Sequence, residues 1–300
     1  MSIDEKSAVL VQADFSKKGV VIEKATSIAI SNRQIFWGRI VEIDDVISHF
    51  ADSQKKHKIK GDIASINLPM QFCDLKTYDF PKGYMKKSSL DWEIEQNFIE
   101  DTRGYRFDHI EAGKSNKGVF DILVSAIAEA VDERAALLPA LGFAPAGIEP
   151  DILCLYNGIA ATMGNFPAKS VLLIDIAYPY SSFALVRENI FMPGVPLKIN
   201  EDLVSGKVFD AIPEFALHVV KAFTRKFELI GFDMVKNKPE LLMISGNYVD
   251  NNVADYIAVE LEIPLYKKNP LDSTPFKMKD KKTNLSWHQY IKALGLALRS

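Results

Sequence analysis

A strand, a polar turn and a second strand open each half of this chain, and this repeat limits the possible folds more than any other feature. The first copy reads AVLVQADF, SKKG and VVIEKATSIAI within residues 8–30, and the second reads SVLLIDIAYPYSSFALVRENIF within residues 170–191. Apolar segments flanking short polar turns are typical of antiparallel hairpins. Because helical patterns follow each copy, the repeat predicts an α/β protein with two similar lobes that face each other across a cleft.

Composition and charge exclude several other classes of protein. The 300 residues are 48% hydrophobic, which is enough to bury a sizeable core, and 36 Lys and Arg balance 39 Asp and Glu, so no nucleic-acid partner is expected. The apolar stretches 119–127 and 171–176 are too short to cross a bilayer. The acidic start MSIDEKSAVL differs from a secretory signal, which favours a cytoplasmic location.

Three segments carry residues suited to holding a nucleotide, namely the two hairpins and the turn of LMISGN at residues 242–247. The candidate nucleotide-binding residues are Asp14, Ser16, Lys17, Asp175, Ser181, Ser182, Ser245 and Gly246. Hairpin amides can hold phosphates, and a strand-end aspartate such as Asp175 can orient metal-bound water. In this order the three segments resemble the pocket of the actin-like fold. If that pocket is retained, its ligands are ATP and Mg²⁺.

Longer segments resemble the PilM family of type IV pilus platform proteins and its relatives, including the MSHA-type pilus proteins. The similar segments are SINLPMQFCDLKTYDFP, LDWEIEQNF, VFDILVSAIAEAVDERAALLPALGFAPAGIEPDILCL and the final ALGLALRS. Together they span nearly the whole chain. The resemblance implies an actin-like, ribonuclease H-like duplicated fold with an inserted small α+β subdomain. It places residues 1–170 with 284–300 in the first lobe, the insert at about 61–147, and residues 171–283 in the second lobe.

The resemblance also implies a location and a partner. Members of this family are cytoplasmic proteins at the inner membrane, where they bind the cytoplasmic N-terminal peptide of a bitopic, PilN-like pilus protein. Type II secretion systems use related platform proteins, so the resemblance covers both kinds of apparatus. It predicts no particular oligomeric state.

The candidate loops depart from the family's pattern where backbone must approach a ligand. Ser16 stands two residues after Asp14, where a glycine is expected. Ala177 stands in place of another glycine and is followed by Tyr178 and Pro179, and Asn247 replaces the second glycine of the third segment. These departures predict that ATP binding is weak or lost, which leaves a scaffold without catalytic residues as the leading hypothesis. The alternative is an active actin-like ATPase whose ATP-dependent lobe closure regulates pilus assembly.

Several candidate residues also have purely structural explanations, and both interpretations stay open. Asp175 can form an Asx turn at its strand end instead of holding metal-bound water. Lys17 suits a solvated turn as well as a phosphate contact. Trp92 and Phe98 lie six residues apart on a predicted helix and can line a partner groove or belong to the core.

Overall fold

The computed structural model describes most of the chain. The described residues are 1–16, 19–31, 33–81, 102–114, 118–164, 166–199, 212–229, 236–246, 249–272, 276–279 and 285–298. No helix in these ranges is both long and apolar enough to cross a membrane.

The secondary structure alternates between strands and helices along the described chain. The strands are β1 Ser2–Ile3, β2 Ser7–Ser16, β3 Gly19–Ala29, β4 Ile35–Phe36, β5 Arg39–Ile40, β6 Ile63–Leu68, β7 Cys73–Pro81, β8 Tyr105–Lys114, β9 Gly118–Ile127, β10 Ala144–Pro150, β11 Ser170–Asp175, β12 Tyr180–Arg187, β13 Ile190–Pro193, β14 Leu197–Lys198, β15 Leu241–Ser245 and β16 Phe276–Met278. The helices are α1 Ile43–His57, α2 Ala128–Ala140, α3 Asp151–Met163, α4 Ile212–Leu229, α5 Asn251–Leu261 and α6 Trp287–Ala297.

The first lobe is built on two groups of strands that lie side by side. One is a sheet in the order β1-β2-β3-β16, and the other is the parallel pair of β10 and β6. The two groups meet at β1, because the amino group of Met1 donates to the Ser65 carbonyl at 2.8 Å and Asn67 is hydrogen-bonded to the backbone of Ile3. The whole row therefore reads β16-β3-β2-β1-β6-β10.

The second lobe repeats the centre of this arrangement. Its sheet runs β13-β12-β11-β15, with β11 antiparallel to β12 and parallel to β15. In this order β11 corresponds to β1, β12 to β2, β13 to β3 and β15 to β6. The duplicated α/β architecture predicted from the two hairpins is confirmed, although the first lobe's equivalent of the second hairpin is β1–β2 rather than β2–β3.

An antiparallel sheet in the order β7-β9-β8 is inserted into the first lobe. It spans residues 73–127, a narrower range than the predicted insert of about 61–147, because β6 and β10 belong to the first lobe's own row of strands. Strand β16 also pairs with β3 of the first lobe, although its residues lie within the range predicted for the second.

Two helices lie between the lobes, as the alternation of buried side chains along β11 shows. Val171 and Leu173 of β11 share a buried cluster with residues of α3 and α6, whereas Leu172 and Ile174 pack in a second cluster with α4 and α5. Val9 of β2 belongs to the first of these clusters as well. Successive strand residues face opposite sides of a sheet. Helices α3 and α6 therefore lie between the two sheets and carry the packing that joins the lobes.

Candidate functional site

Each lobe presents an aspartate at the end of its central strand. Asp4 directly follows β1, and Asp175 is the last residue of β11. Both side chains are buried, Asp4 with 6% and Asp175 with none of its surface exposed. These two residues hold corresponding positions in the two halves of the duplicated fold.

A lysine from the C-terminal helix reaches this region from between the lobes. The Lys292 ammonium of α6 lies 2.9 Å from Asp175 Oδ2 and 3.2 Å from Asp151 Oδ1, at the start of α3. The three side chains are at most 3% exposed. We call Asp4, Asp151, Asp175 and Lys292 the ionic cluster.

Two glycines allow α3 and α6 to approach closely enough to form this cluster. A Cβ atom on Gly295 of α6 would lie 2.0 Å from the Cys154 carbonyl oxygen, and one on Gly158 of α3 would lie 2.3 Å from the Ile291 carbonyl oxygen. Only glycine fits where two helix backbones touch in this way. The contact brings Lys292, three residues before Gly295, towards the first residue of α3.

Asn67 of β6 connects the ionic cluster to strand β1. Its amide nitrogen donates to Asp151 Oδ1 at 2.7 Å and to the Ile3 carbonyl at 2.9 Å, and its amide oxygen accepts the Ile3 N–H at 2.6 Å. The side chain is fully buried. Asp151 is thereby fixed between β6 and α6.

Burial and mutual repulsion set the charges in the cluster. Burial raises the pKa of Asp4 well above its ordinary value, and the neighbouring Asp151 and Asp175 carboxylates add to this while Lys292 opposes it. Burial likewise raises the pKa of Asp175 to about 6 against the opposing effect of Lys292. For Lys292, burial favours the neutral amine, but the surrounding carboxylates outweigh it and raise the pKa well above its ordinary value. At neutral pH Lys292 is therefore charged, and the surroundings of Asp4 favour its protonated form.

The turn of the second hairpin is filled by its own side chains. Ala177 N–H donates to Ser181 Oγ at 3.2 Å, and that hydroxyl donates back to the Ala177 carbonyl at 3.1 Å. The ring of Tyr178 is buried, and the ammonium of Lys6, in the turn between β1 and β2, lies 5.9 Å from the ring centroid. The two turns thus meet directly.

In the third candidate segment, residues 242–247, the described donors at the turn are bonded within the protein. Ser245 Oγ and the Gly246 N–H both donate to the His288 carbonyl at 2.9 Å. Gly246 has a φ of 144°, and a Cβ atom there would lie 2.1 Å from the Ile176 carbonyl oxygen. The positive φ and the close approach of the second hairpin turn both require glycine at this position, so Gly246 has a structural explanation.

ATP and Mg²⁺, which the actin-like fold implies, do not fit this arrangement. Mg²⁺ requires a near-octahedral set of oxygen ligands and keeps several waters, whereas Asp175 already binds a buried ammonium that would repel a divalent cation. Among the described residues, no group of three or more His, Cys, Asp or Glu side chains is arranged to hold a metal ion.

The structure gathers five of the eight predicted nucleotide residues at one place. Asp175 pairs in register with Ser182 on β12 and with Ser245 on β15, and Ser181 and Gly246 are next to these partners. Asp14 does not join them. It is exposed near the far end of β2, seven residues and roughly 23 Å of strand beyond Ser7.

Ser16, the last residue of β2, lies beyond Asp14 on the same strand and does not join the cluster either. Lys17, Trp92 and Phe98 lie outside the described residues, so the predicted partner groove stays a prediction. Sequence reasoning missed Asp4, Asp151 and Lys292, although a lone lysine inside the apolar run YIKALGLAL was an available signal.

Comparison with known proteins shows the fold. No family model and no curated protein matches the sequence. Among solved structures, the PilM-PilN type IV pilus biogenesis complex gives a TM-score of 0.80 at 17% identity, covering 99% of this chain and 96% of that chain. The ethanolamine utilization protein EutJ from Carboxydothermus hydrogenoformans gives 0.50 at 10% identity, covering 100% and 88%. The predicted two-lobed actin-like fold, in its PilM-like form, is confirmed.

Proposed function

We propose that this chain is a non-catalytic scaffold in the inner-membrane platform of a type IV pilus or a related secretion system. The likeness to the PilM-PilN complex over 99% of the chain supports this role. So do the segments that resemble the PilM family, because they lie throughout the chain. Proteins with an actin-like fold have many different functions, so the proposal must also be supported by the geometry of the site.

The observation that carries the proposal is the Lys292–Asp175 ion pair. In this position an actin-like ATPase needs an open aspartate, but here a buried ammonium lies 2.9 Å away and bonds to it. The Lys6–Tyr178 contact closes the space between the hairpin turns. A chain built in this way keeps the two lobes together without a nucleotide, which suits a scaffold.

The partner that we propose is the cytoplasmic N-terminal peptide of a bitopic, PilN-like protein, bound at the cytoplasmic face of the inner membrane. The solved PilM-PilN complex supports a partner of this type. A groove that includes Trp92 and Phe98 is the proposed contact. Binding there would recruit the scaffold to the membrane through its partner.

Binding to a synthetic peptide tests this role. The probe is the fluorescein-labelled cytoplasmic N-terminal peptide of a bitopic, PilN-like protein from the same organism, with a scrambled peptide as control. We expect saturable fluorescence anisotropy with equal affinity in the presence and absence of ATP and Mg²⁺. Lack of binding under both conditions would contradict the scaffold role, and binding that requires ATP would favour the alternative.

One observation favours that alternative, an actin-like ATPase that regulates assembly through lobe closure. Asp175 Oδ1 and Ser182 Oγ are buried and have no hydrogen-bond partner among the described residues. Buried polar atoms of this kind are uncommon in native proteins, and a catalytic role is one explanation for them. They lie opposite each other in the β11–β12 register, where a nucleotide-binding relative would use them.

A further inference from the structure

The structure brings two separate lysine-rich segments together at one end of the first lobe. One is KKHKIK at residues 55–60, in the last turn of α1 and just beyond it, and the other is KMK at residues 277–279, in β16 and directly after it. Their exposed lysines are Lys55, Lys56, Lys58, Lys60, Lys277 and Lys279. We call these six residues the basic surface.

Strand β3 connects the two segments. Lys24 of β3 donates to the carbonyls of His57 and Lys58 at 2.7 Å and 2.8 Å, so its side chain reaches the C-terminal end of α1. Strand β3 also pairs with β16, where Lys277 lies opposite Val21. Segments that are far apart in the sequence therefore lie on neighbouring elements.

Both segments face the same side of the first sheet. Phe276 and Met278 of β16 pack in the buried cluster that contains residues of α3 and α6, so Lys277 between them points to the opposite side, which α1 covers. Lys279 reaches that side as well, because its ammonium pairs at 2.8 Å with Glu23, which lines a cavity together with residues of α1. The basic surface therefore lies on one side of the sheet.

Positive charge prevails on this side, although the whole chain has a net charge of -3. The lysines outnumber the acidic residues beside them in the described structure, which are Asp14, Glu23, Asp52 and Asp62. Lys24 adds a further cation. The helix dipole accounts for lysines in the last turn of α1, but it does not account for Lys277 and Lys279, which lie outside any helix.

Helix α1 carries opposite charges at its two ends. Its first turn contains Asp44 and Asp45, and its last turn contains Lys55, Lys56 and His57. A helix of 15 residues spans roughly 22 Å, whereas charges in 0.1 M salt are screened over about 10 Å. A negatively charged plane in contact with the basic surface would therefore be attracted by the lysines and hardly repelled by the acidic turn.

We propose that the basic surface is a contact site for an anionic lipid bilayer, which orients the protein with the C-terminal end of α1 towards the headgroups. Clusters of about four to eight lysines or arginines are typical of surfaces that bind anionic lipids. The cations here are lysines, which act as compact point charges, whereas the planar fork of arginine is the more usual means of nucleic-acid recognition. The inference rests on the proposed function, because that role places the chain at a membrane.

Co-sedimentation of the full chain with lipid vesicles, in the absence of any partner, tests the inference. The vesicles consist of phosphatidylcholine alone or of an equal mixture of phosphatidylcholine and phosphatidylglycerol. We expect binding only to the vesicles that contain phosphatidylglycerol. This binding should be lost when the salt concentration is raised to about 1 M, where screening shortens to about 3 Å.

The triple variant Lys55→Gln/Lys56→Gln/Lys277→Gln removes charge from both segments at exposed positions. Each lysine near an anionic surface raises the affinity about fivefold, so partitioning onto the anionic vesicles should fall about a hundredfold in this variant. A smaller effect than tenfold would mean that these lysines do not form the contact.

The matched control removes three exposed lysines that lie outside the basic surface, namely Lys221, Lys238 and Lys268. As the triple Gln variant, it should partition onto the anionic vesicles like the wild type. Both triple variants should bind the PilN-like peptide with wild-type affinity, which shows that they are folded and separates this inference from the proposed function.

Several results would overturn the inference. These are equal binding of the wild type to both kinds of vesicle, binding to neither, or an equal loss in the two triple variants. Displacement of the chain from anionic vesicles by a DNA duplex of random sequence at equal phosphate concentration would overturn it too, since the surface would then prefer nucleic acid. If the peptide binds and neither vesicle does, the inference fails and the proposed function stands.

Discussion

Lys292 on the last helix bonds to Asp175 at the end of β11, with 2.9 Å between Nζ and Oδ2 and neither side chain more than 1% exposed. The same ammonium lies 3.2 Å from Asp151, which Asn67 ties to the first lobe. One buried cation therefore connects both halves of the fold. Breaking such a pair leaves uncompensated buried charge, so the cluster yields sharp predictions.

Replacing Lys292 with methionine should destabilise the chain by about 3–5 kcal/mol, because Asp151 and Asp175 then lose a buried counter-charge. Urea unfolding followed by circular dichroism measures the change. The double variant Lys292→Met/Asp175→Asn should recover part of the loss, since it removes one of the stranded carboxylates. Equal stability of wild type and Lys292→Met would contradict the proposed importance of the ion pair.

Asp4→Asn should change the free energy of unfolding at pH 7 by less than about 1 kcal/mol, although Asp4 is buried. The reason is that burial raises its pKa well above the ordinary value and so favours the uncharged side chain, which asparagine resembles. The same urea measurement checks this. A loss as large as that of Lys292→Met would mean that Asp4 is ionised in the native state.

Stability should also depend on pH through Asp175. Its pKa rises from 3.8 to about 6 on folding, so between these values the native state binds more protons than the unfolded state. The contribution of Asp175 to stability is therefore present in acid and is lost as the pH rises through that window. We expect the free energy of unfolding of the wild type, minus that of Asp175→Asn, to decrease from pH 4 to pH 6. Parallel pH profiles for the two proteins would refute this.

Gly295→Ala should destabilise the chain by roughly 1–3 kcal/mol, because the added methyl group would meet the Cys154 carbonyl in the contact between α3 and α6. Thermal unfolding is a suitable readout. Gly104→Ala is the matched control, since a Cβ atom there meets nothing within 4 Å. A similar effect of both substitutions would argue against the close helix approach.

Elements with a strong hydrophobic period could be predicted from the sequence, and very short ones could not. The β11–β12 hairpin lies where the apolar segments of residues 170–191 place it. Strand β1 has only two residues, too few to show a period. The first hairpin was therefore assigned one strand too late, which pointed to Asp14 instead of Asp4.

The site was only partly predictable because its key contacts join distant parts of the chain. Asp175 and Lys292 are 117 residues apart, and only the packing of α6 between the sheets brings them together. Asp151 looks like an ordinary acidic residue in the first turn of a helix. The changed loop residues were visible in the sequence, but the cation that occupies the site was not.

Calorimetric titration of the full chain with ATP, with and without Mg²⁺, tests the central claim most directly. A scaffold closed by Lys292 should give no saturable heat up to millimolar ATP. Micromolar, Mg²⁺-dependent binding that is lost in Asp175→Asn and kept in Asp14→Asn would contradict it, because the nucleotide would then occupy the place that we assign to the Lys292 ammonium.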